Sequence, residues 1–280
     1  MDVFETPGSV SLRFRLPSGR VVVTTADEPR TTVELMPAGR RGADAMNDVI
    51  VTASEHNGGH LITVEQQDKI RWGPLQINWG ADVEVRVTCP PGADLDLKGG
   101  STDLRVDGEL GEVSVQSASG DVKLETVTKE LQIKTASGDI SVGAIEAGGS
   151  VVTVSGDLGI RRVEGELTAR AVSGDVRIGA IRAPLTLSTT SGDVVLESVE
   201  AGELRVQTIS GDARIGVGRR TRVFVDAVSV SGDLESELGI ADHEPPQTAE
   251  PGEEPGAVVP LHVKTVSGDV AIVHATLVSA

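Results

Sequence analysis

The tripeptide Ser-Gly-Asp begins at Ser119, Ser137, Ser155, Ser173 and Ser191, each copy 18 residues after the last. It returns at Ser210, Ser231 and Ser267, after gaps of 19, 21 and 36. A degenerate copy, Ser101-Thr102-Asp103, lies 18 residues before the first. A fixed short period marks a repeat architecture, in which each unit buries its apolar face only against its neighbours.

Superposing the units with Ser at position zero gives apolar columns. Position three holds Val122, Ile140, Leu158, Val176 and Val194; position five holds Leu124, Val142, Ile160, Ile178 and Leu196. Position eight holds Val127, Ile145, Val163, Ile181 and Val199. Leu131, Gly149, Leu167 and Leu185 fall at position twelve, with Ile133, Val151, Ala169 and Leu187 two residues on. The residues between are mostly polar. Apolar positions two apart mark a strand with one buried face. Each unit thus carries two short strands joined by two turns. In the Ser-Gly-Asp turn, Gly supplies a positive φ, and Ser and Asp bond nearby backbone within the turn. The fold predicted is all-β: a parallel β-solenoid, a small β-helix of 18-residue coils and about nine rungs, with an N-terminal antiparallel β-rich cap. Aromatic residues are 2% of the chain and Tyr is absent, so its core is aliphatic.

The domain division expected is residues 1–92 as a β-rich capping region and 93–280 as solenoid. The first 92 residues lack the period but alternate, with turn signals at Pro17-Ser18-Gly19 and Asn57-Gly58-Gly59 that predict antiparallel hairpins. Residues 40–48 are expected as a short helix or loop. Residues 239–260, rich in Pro and carboxylates, are expected as a disordered acidic loop thrown out from an otherwise continuous stack.

The Ser-Gly-Asp-Val repeats, the early Pro-Ser-Gly-Arg-Val-Val-Val and the closing Val-Lys-Thr-Val-Ser-Gly-Asp-Val resemble bacterial proteins of the DUF4097 type, also labelled adhesin-like or β-strand repeat proteins. The likeness covers nearly the whole chain and is greatest to actinobacterial members. It implies a β-solenoid, and it carries over no catalytic residue.

The net charge of −17 disfavours nucleic acid and anionic membrane surfaces. One cysteine, Cys89, excludes an internal disulfide. The first residues lack a signal-peptide pattern, and no apolar run reaches membrane-spanning length, so no membrane insertion and a cytoplasmic location are expected.

The sharpest chemical feature is a ladder of aspartates. Asp121, Asp139, Asp157, Asp175 and Asp193 recur at one position per coil. Carboxylates stacked ~5 Å apart repel by about 0.8 kcal/mol per pair in water. Backbone N–H groups of each Asp's own turn are expected to offset this. The competing assignment is a row of calcium sites, but calcium β-rolls carry Gly and Asp at both turns of a coil, and here one turn does. His56 and His60 have zinc-helix spacing but flank a turn. No nucleophile elbow, phosphate loop or convergent carboxylate pair stands out. No catalytic, cofactor-binding or metal residue is therefore assigned, no cofactor is expected, and the chain is not expected to be an enzyme. The function expected is a non-catalytic, adhesin-like structural or interaction module, monomeric or weakly oligomeric, binding a protein or glycan partner. The alternatives are a carbohydrate-active β-helix enzyme and a self-assembling scaffold filament.

Overall fold

The structure, a computed structural model, describes residues 1–38, 46, 48–56, 58–67, 83–218, 221–238 and 258–275. The segment expected as a short helix or loop, 40–48, lies almost wholly outside the described residues, and so does most of the expected acidic loop. Contacts divide the chain into two units, Met1–Gly156 and Asp157–Ala280. The fold is a parallel β-solenoid.

In the first unit the 18-residue coils stack as the columns predict. Strand β9 (Val122–Val127) pairs in parallel with β11 (Ile140–Ile145), setting Val122, Leu124 and Val127 against Ile140, Val142 and Ile145. On the other side, β10 (Leu131–Ser137) lies between β8 (Glu109–Ser119) and β12 (Gly148–Ser155), and Ile133 meets Val115 and Val151. All three are fully buried. The corner glycine is required twice over. Gly138 has φ 117°, and a Cβ there would lie 2.3 Å from the carbonyl oxygen of Gly120 one coil earlier.

The stack extends into residues expected as hairpins. Strand β7 (Ala93–Asp107) passes round a whole coil, and β2 (Val10–Thr25) pairs with it in parallel, Ser18 beside Ser101 and Arg20 beside Asp103. Pro17-Ser18-Gly19-Arg20 is therefore a solenoid corner. A corner and a hairpin turn both use a positive-φ glycine, here Gly19 at 127°, so the residues alone do not distinguish bending from reversal. Strand β5 (Gly59–Gln66) stacks in parallel on the first half of β2, and β6 (Val83–Cys89) on the second. The antiparallel cap consists of β4 (Val49–His56) on β5, β3 (Arg30–Pro37) on β6, and β1 (Asp2–Glu5) on β3.

In the second unit, β13 (Leu158–Val163), β15 (Val176–Ile181), β17 (Val194–Val199) and β19 (Ala213–Val217) form one parallel series. Strands β14 (Glu166–Ser173), β16 (Leu185–Ser191) and β18 (Leu204–Ser210) form the other.

Here chain order and stacking order part. Strands β20 (Arg222–Ser231) and β21 (Leu234–Ser236) come next in sequence. Yet β22 (Val258–Ser267) and β23 (Val270–His274) are the strands that pair with β18 and β19, and β20 and β21 lie outside them. The corner serines therefore run 210, 267, 231, which corrects the expectation that the coils follow one another in sequence. The last three residues of the expected loop, 258–260, are strand. The apolar content of the coils gives the reason. The inserted coil buries Val259, Leu261, Val263, Val270 and Ile272 at 3% exposure or less, whereas their register partners in β20 and β21 are Val223, Val225, Ala227, Leu234 and Ser236, a smaller apolar set. Burying the richer coil on both sides removes more apolar surface from water.

Candidate functional site

The aspartate ladder lies on exposed corners, and its hydrogen bonds cross between coils. Oδ1 of Asp121 accepts the backbone N–H of Asp139 at 3.0 Å, Asp157 that of Asp175 at 2.9 Å, Asp175 that of Asp193 at 2.9 Å, and Asp193 that of Asp212 at 3.0 Å. Asp212 and Asp269 continue the pattern onto Asp269 and Asp233, following the stacking order. The expected acceptance within each Asp's own turn is thus replaced by acceptance from the next coil. Each carboxylate faces its neighbour's N–H, and a charge-assisted hydrogen bond offsets like-charge repulsion. Among the described residues no three or more His, Cys, Asp or Glu side chains gather as a metal-holding group. A calcium ion takes six to eight oxygens, and this ladder supplies one carboxylate per coil.

A second ladder escaped the sequence expectations. Two residues before the corner serine, Thr135, Thr153, Thr189, Thr208 and Thr265 are buried. The hydroxyls of the first four donate to the carbonyl of the corner serine, from Thr135 to Ser137 at 2.8 Å, Thr153 to Ser155 at 3.1 Å, and Thr189 to Ser191 and Thr208 to Ser210 at 3.4 Å, whereas that of Thr265 in β22 has no partner among the described residues. The recurring Thr-x-Ser was the signal. Up to Thr208 this buried polar row satisfies itself locally and joins the scaffold.

The outward faces carry the remaining chemistry. The residue just before the corner serine is apolar and exposed at Val154 in the first unit, and at Val172, Ile209, Val230 and Val266 in the second. Beside these, the inserted coil creates a shallow depression of about 250 Å³ lined by Arg205, Gln207, Asp226, His262 and Lys264. His262 Nδ1 lies 3.2 Å from Asp226, its Nε2 lies 3.6 Å from Glu203, and Glu203 holds Arg205 at 2.5 Å. Three segments remote in sequence meet there only because β22 lies between β18 and β20. Both imidazole nitrogens face carboxylates, so the cluster ties three strands together.

His56 and His60 belong to the β4–β5 hairpin, where His56 pairs with Gly59 and His60 with Glu55. Cys89 is buried in β6, and burial pushes its thiol up to about 12. That thiol is a packing group, not a nucleophile.

Coils of repeated length with in-register parallel strands, scaffold ladders at the Ser-Gly-Asp corner and regular outward faces define a β-solenoid repeat protein. The chain belongs to the Toastrack DUF4097 family, whose sequence profile matches residues 11–223. Solved structures similar to it include a "putative adhesin" of Bacteroides fragilis, 10% identical with a TM-score of 0.40, covering 97% of this chain and 95% of that one. A "putative adhesin" of Parabacteroides distasonis is 11% identical with a TM-score of 0.41, covering 96% and 95% of the two chains. A "putative lipid binding protein" of the same organism is 10% identical with a TM-score of 0.39, covering 98% and 96%. No curated protein matches the chain. Among the described residues no helix is long and apolar enough to cross a membrane.

Proposed function

We propose that this protein is a non-catalytic, adhesin-like interaction module whose rigid sheet faces dock a partner. The observation behind this is the division of labour in each coil. Inward residues and corner ladders build the scaffold, while outward side chains vary from coil to coil on a fixed backbone grid. Such a grid positions many weak contacts at no further ordering cost, which is how a flat surface gains affinity. The test is saturable binding of the native full chain, against the heat-unfolded chain, to arrays of glycans and extracted envelope proteins. Cell fractionation gives the compartment of the partner. Release of reducing ends or unsaturated sugars from a polysaccharide panel would instead support a carbohydrate-active enzyme.

One observation favours self-association as a second reading. In β20, Phe224 is 62% exposed and Val230 77%, and among the described residues β20 pairs with β22 alone. An edge without lysine or proline invites pairing with another chain. Light scattering across concentration decides it: a rising mass supports assembly, and a constant monomer mass rules it out.

A further inference from the structure

We propose that the outward face of β2, β7, β8 and β10 in the first unit binds a linear acidic polysaccharide, one carboxylate per disaccharide, along a row of cations. This rests on the interaction-module reading and names the partner of one face.

The row is assembled by stacking register. Arg15 lies beside Lys98, Lys98 beside Gln116, and Gln116 beside Lys134. Lys98 and Lys134 are exposed, with no ion-pair partner among the described residues. Arg15 is held in place, bonding the Asp96 carboxylate and donating to the carbonyls of Phe14 at 2.7 Å and Asp96 at 3.2 Å. Arg13 approaches the same carboxylate at 3.7 Å. Glu65, in register with Arg15, flanks the row's outer end. At the row itself the four cations Arg13, Arg15, Lys98 and Lys134 thus face two carboxylates, Asp96 and Glu65, on a chain whose net charge is −17.

The spacing selects the ligand. Arg15, one coil from Lys98, is already engaged by Asp96. Neighbouring coils are about 4.8 Å apart, so the two cations without an ion-pair partner among the described residues, Lys98 and Lys134, two coils apart, stand roughly 9.6 Å from each other. That is the span of one disaccharide in an extended polymer. Same-side groups of an extended peptide recur at roughly 6.8 Å and would fall out of step. Duplex phosphates, one charge per ~1.7 Å, would crowd a face of such sparse cations. In the next row, beyond the paired Asp96, Ser114, Gln132 and Ser150 offer hydroxyl and amide partners for sugar hydroxyls. Asp94, Glu112 and Glu130 border the face some four residues, or about 13 Å, from the cation row. At physiological salt their effect on a carboxylate seated on the row is about tenfold weaker than that of a lysine in contact with it. They therefore confine the polymer to the row without expelling it.

The experiment measures the full chain on immobilised hyaluronate, dextran and poly-L-glutamate at low salt. Retention on hyaluronate that is lost at high salt, and absent on dextran, is expected. Lys98→Glu with Lys134→Glu should weaken it at least ~10-fold, while Lys123→Glu on β9 leaves it unchanged; circular dichroism confirms folding, since all three side chains are exposed. Undiminished binding by the double variant overturns the proposal, as does equal or tighter retention on poly-L-glutamate, which would assign the face to an acidic polypeptide. If the double variant keeps the array binding of the native chain, this face fails while the interaction-module reading stands.

Discussion

Oδ1 of Asp175 accepts the backbone N–H of Asp193 at 2.9 Å, so this corner carboxylate is bound by the coil that repels it. The bond needs an acceptor, not a charge. Asp175→Asn should therefore be close to neutral, because it keeps the acceptor and removes repulsion. Asp175→Ala should cost about 1 kcal/mol, the usual net worth of such a bond. Urea unfolding of both variants measures the difference.

Gly192 sits at φ 121°, and a Cβ there would lie 2.2 Å from the carbonyl oxygen of Gly174. Gly192→Ala should cost roughly 3 kcal/mol or more, from backbone strain and overpacking together. Gly8 has φ 100° with nothing within 4 Å of a built Cβ. Gly8→Ala should cost only about 1 kcal/mol, the conformational part alone. Thermal unfolding followed by circular dichroism separates the two.

Burial holds the Cys89 thiol protonated to about pH 12, against an ordinary value of 9.0. Below pH 9 both folded and unfolded thiols are protonated, and the group does not distinguish the states. Between about 9 and 12 only the unfolded thiol ionises, so stability should fall by about 1.4 kcal/mol per pH unit from this group. In Cys89→Ala the alkaline fall should be shallower by that amount. Urea midpoints across the alkaline range provide the test.

The stacking order at the C-terminal end is open to direct chemical proof. His262 lies in register between Arg205 and Asp226. Cysteine pairs at 205 and 262, or at 262 and 226, stand one strand spacing apart, about 4.8 Å, within disulfide reach. A pair at 205 and 226 is about 9.6 Å apart and out of reach. Mild oxidation and mass spectrometry should find the first two bridges and not the third. A bridge at 205 and 226 with none at 205 and 262 would restore sequential stacking.

The melting temperature should be the same in calcium and in a chelator, because Asp121, Asp157, Asp175 and Asp193 each already accept a backbone N–H and the ladder contributes one carboxylate per coil. A rise of several degrees with calcium would return the ladder to the role of a metal site.

Much of this architecture was legible from local pattern. Val122, Ile140 and Val176 are buried where the columns place them, because strand alternation and the glycine corner act within a few residues. The aspartates were legible as a ladder, but not the direction of their hydrogen bonds, which depends on which N–H the neighbouring coil presents. The His262 depression and the Arg15–Lys98 row were not legible at all. Each joins strands far apart in the chain.

The sequence by itself determined the coil: its length, its buried face and its corner. Only the tertiary structure decided which coil lies on which. Coils sharing one period offer one another nearly the same apolar face, so periodicity is indifferent to their order. The order follows from which stack buries the most aliphatic surface. That choice places β2 inside β5 and β6, and β22 inside β20, and with them the outward rows on which a partner would land.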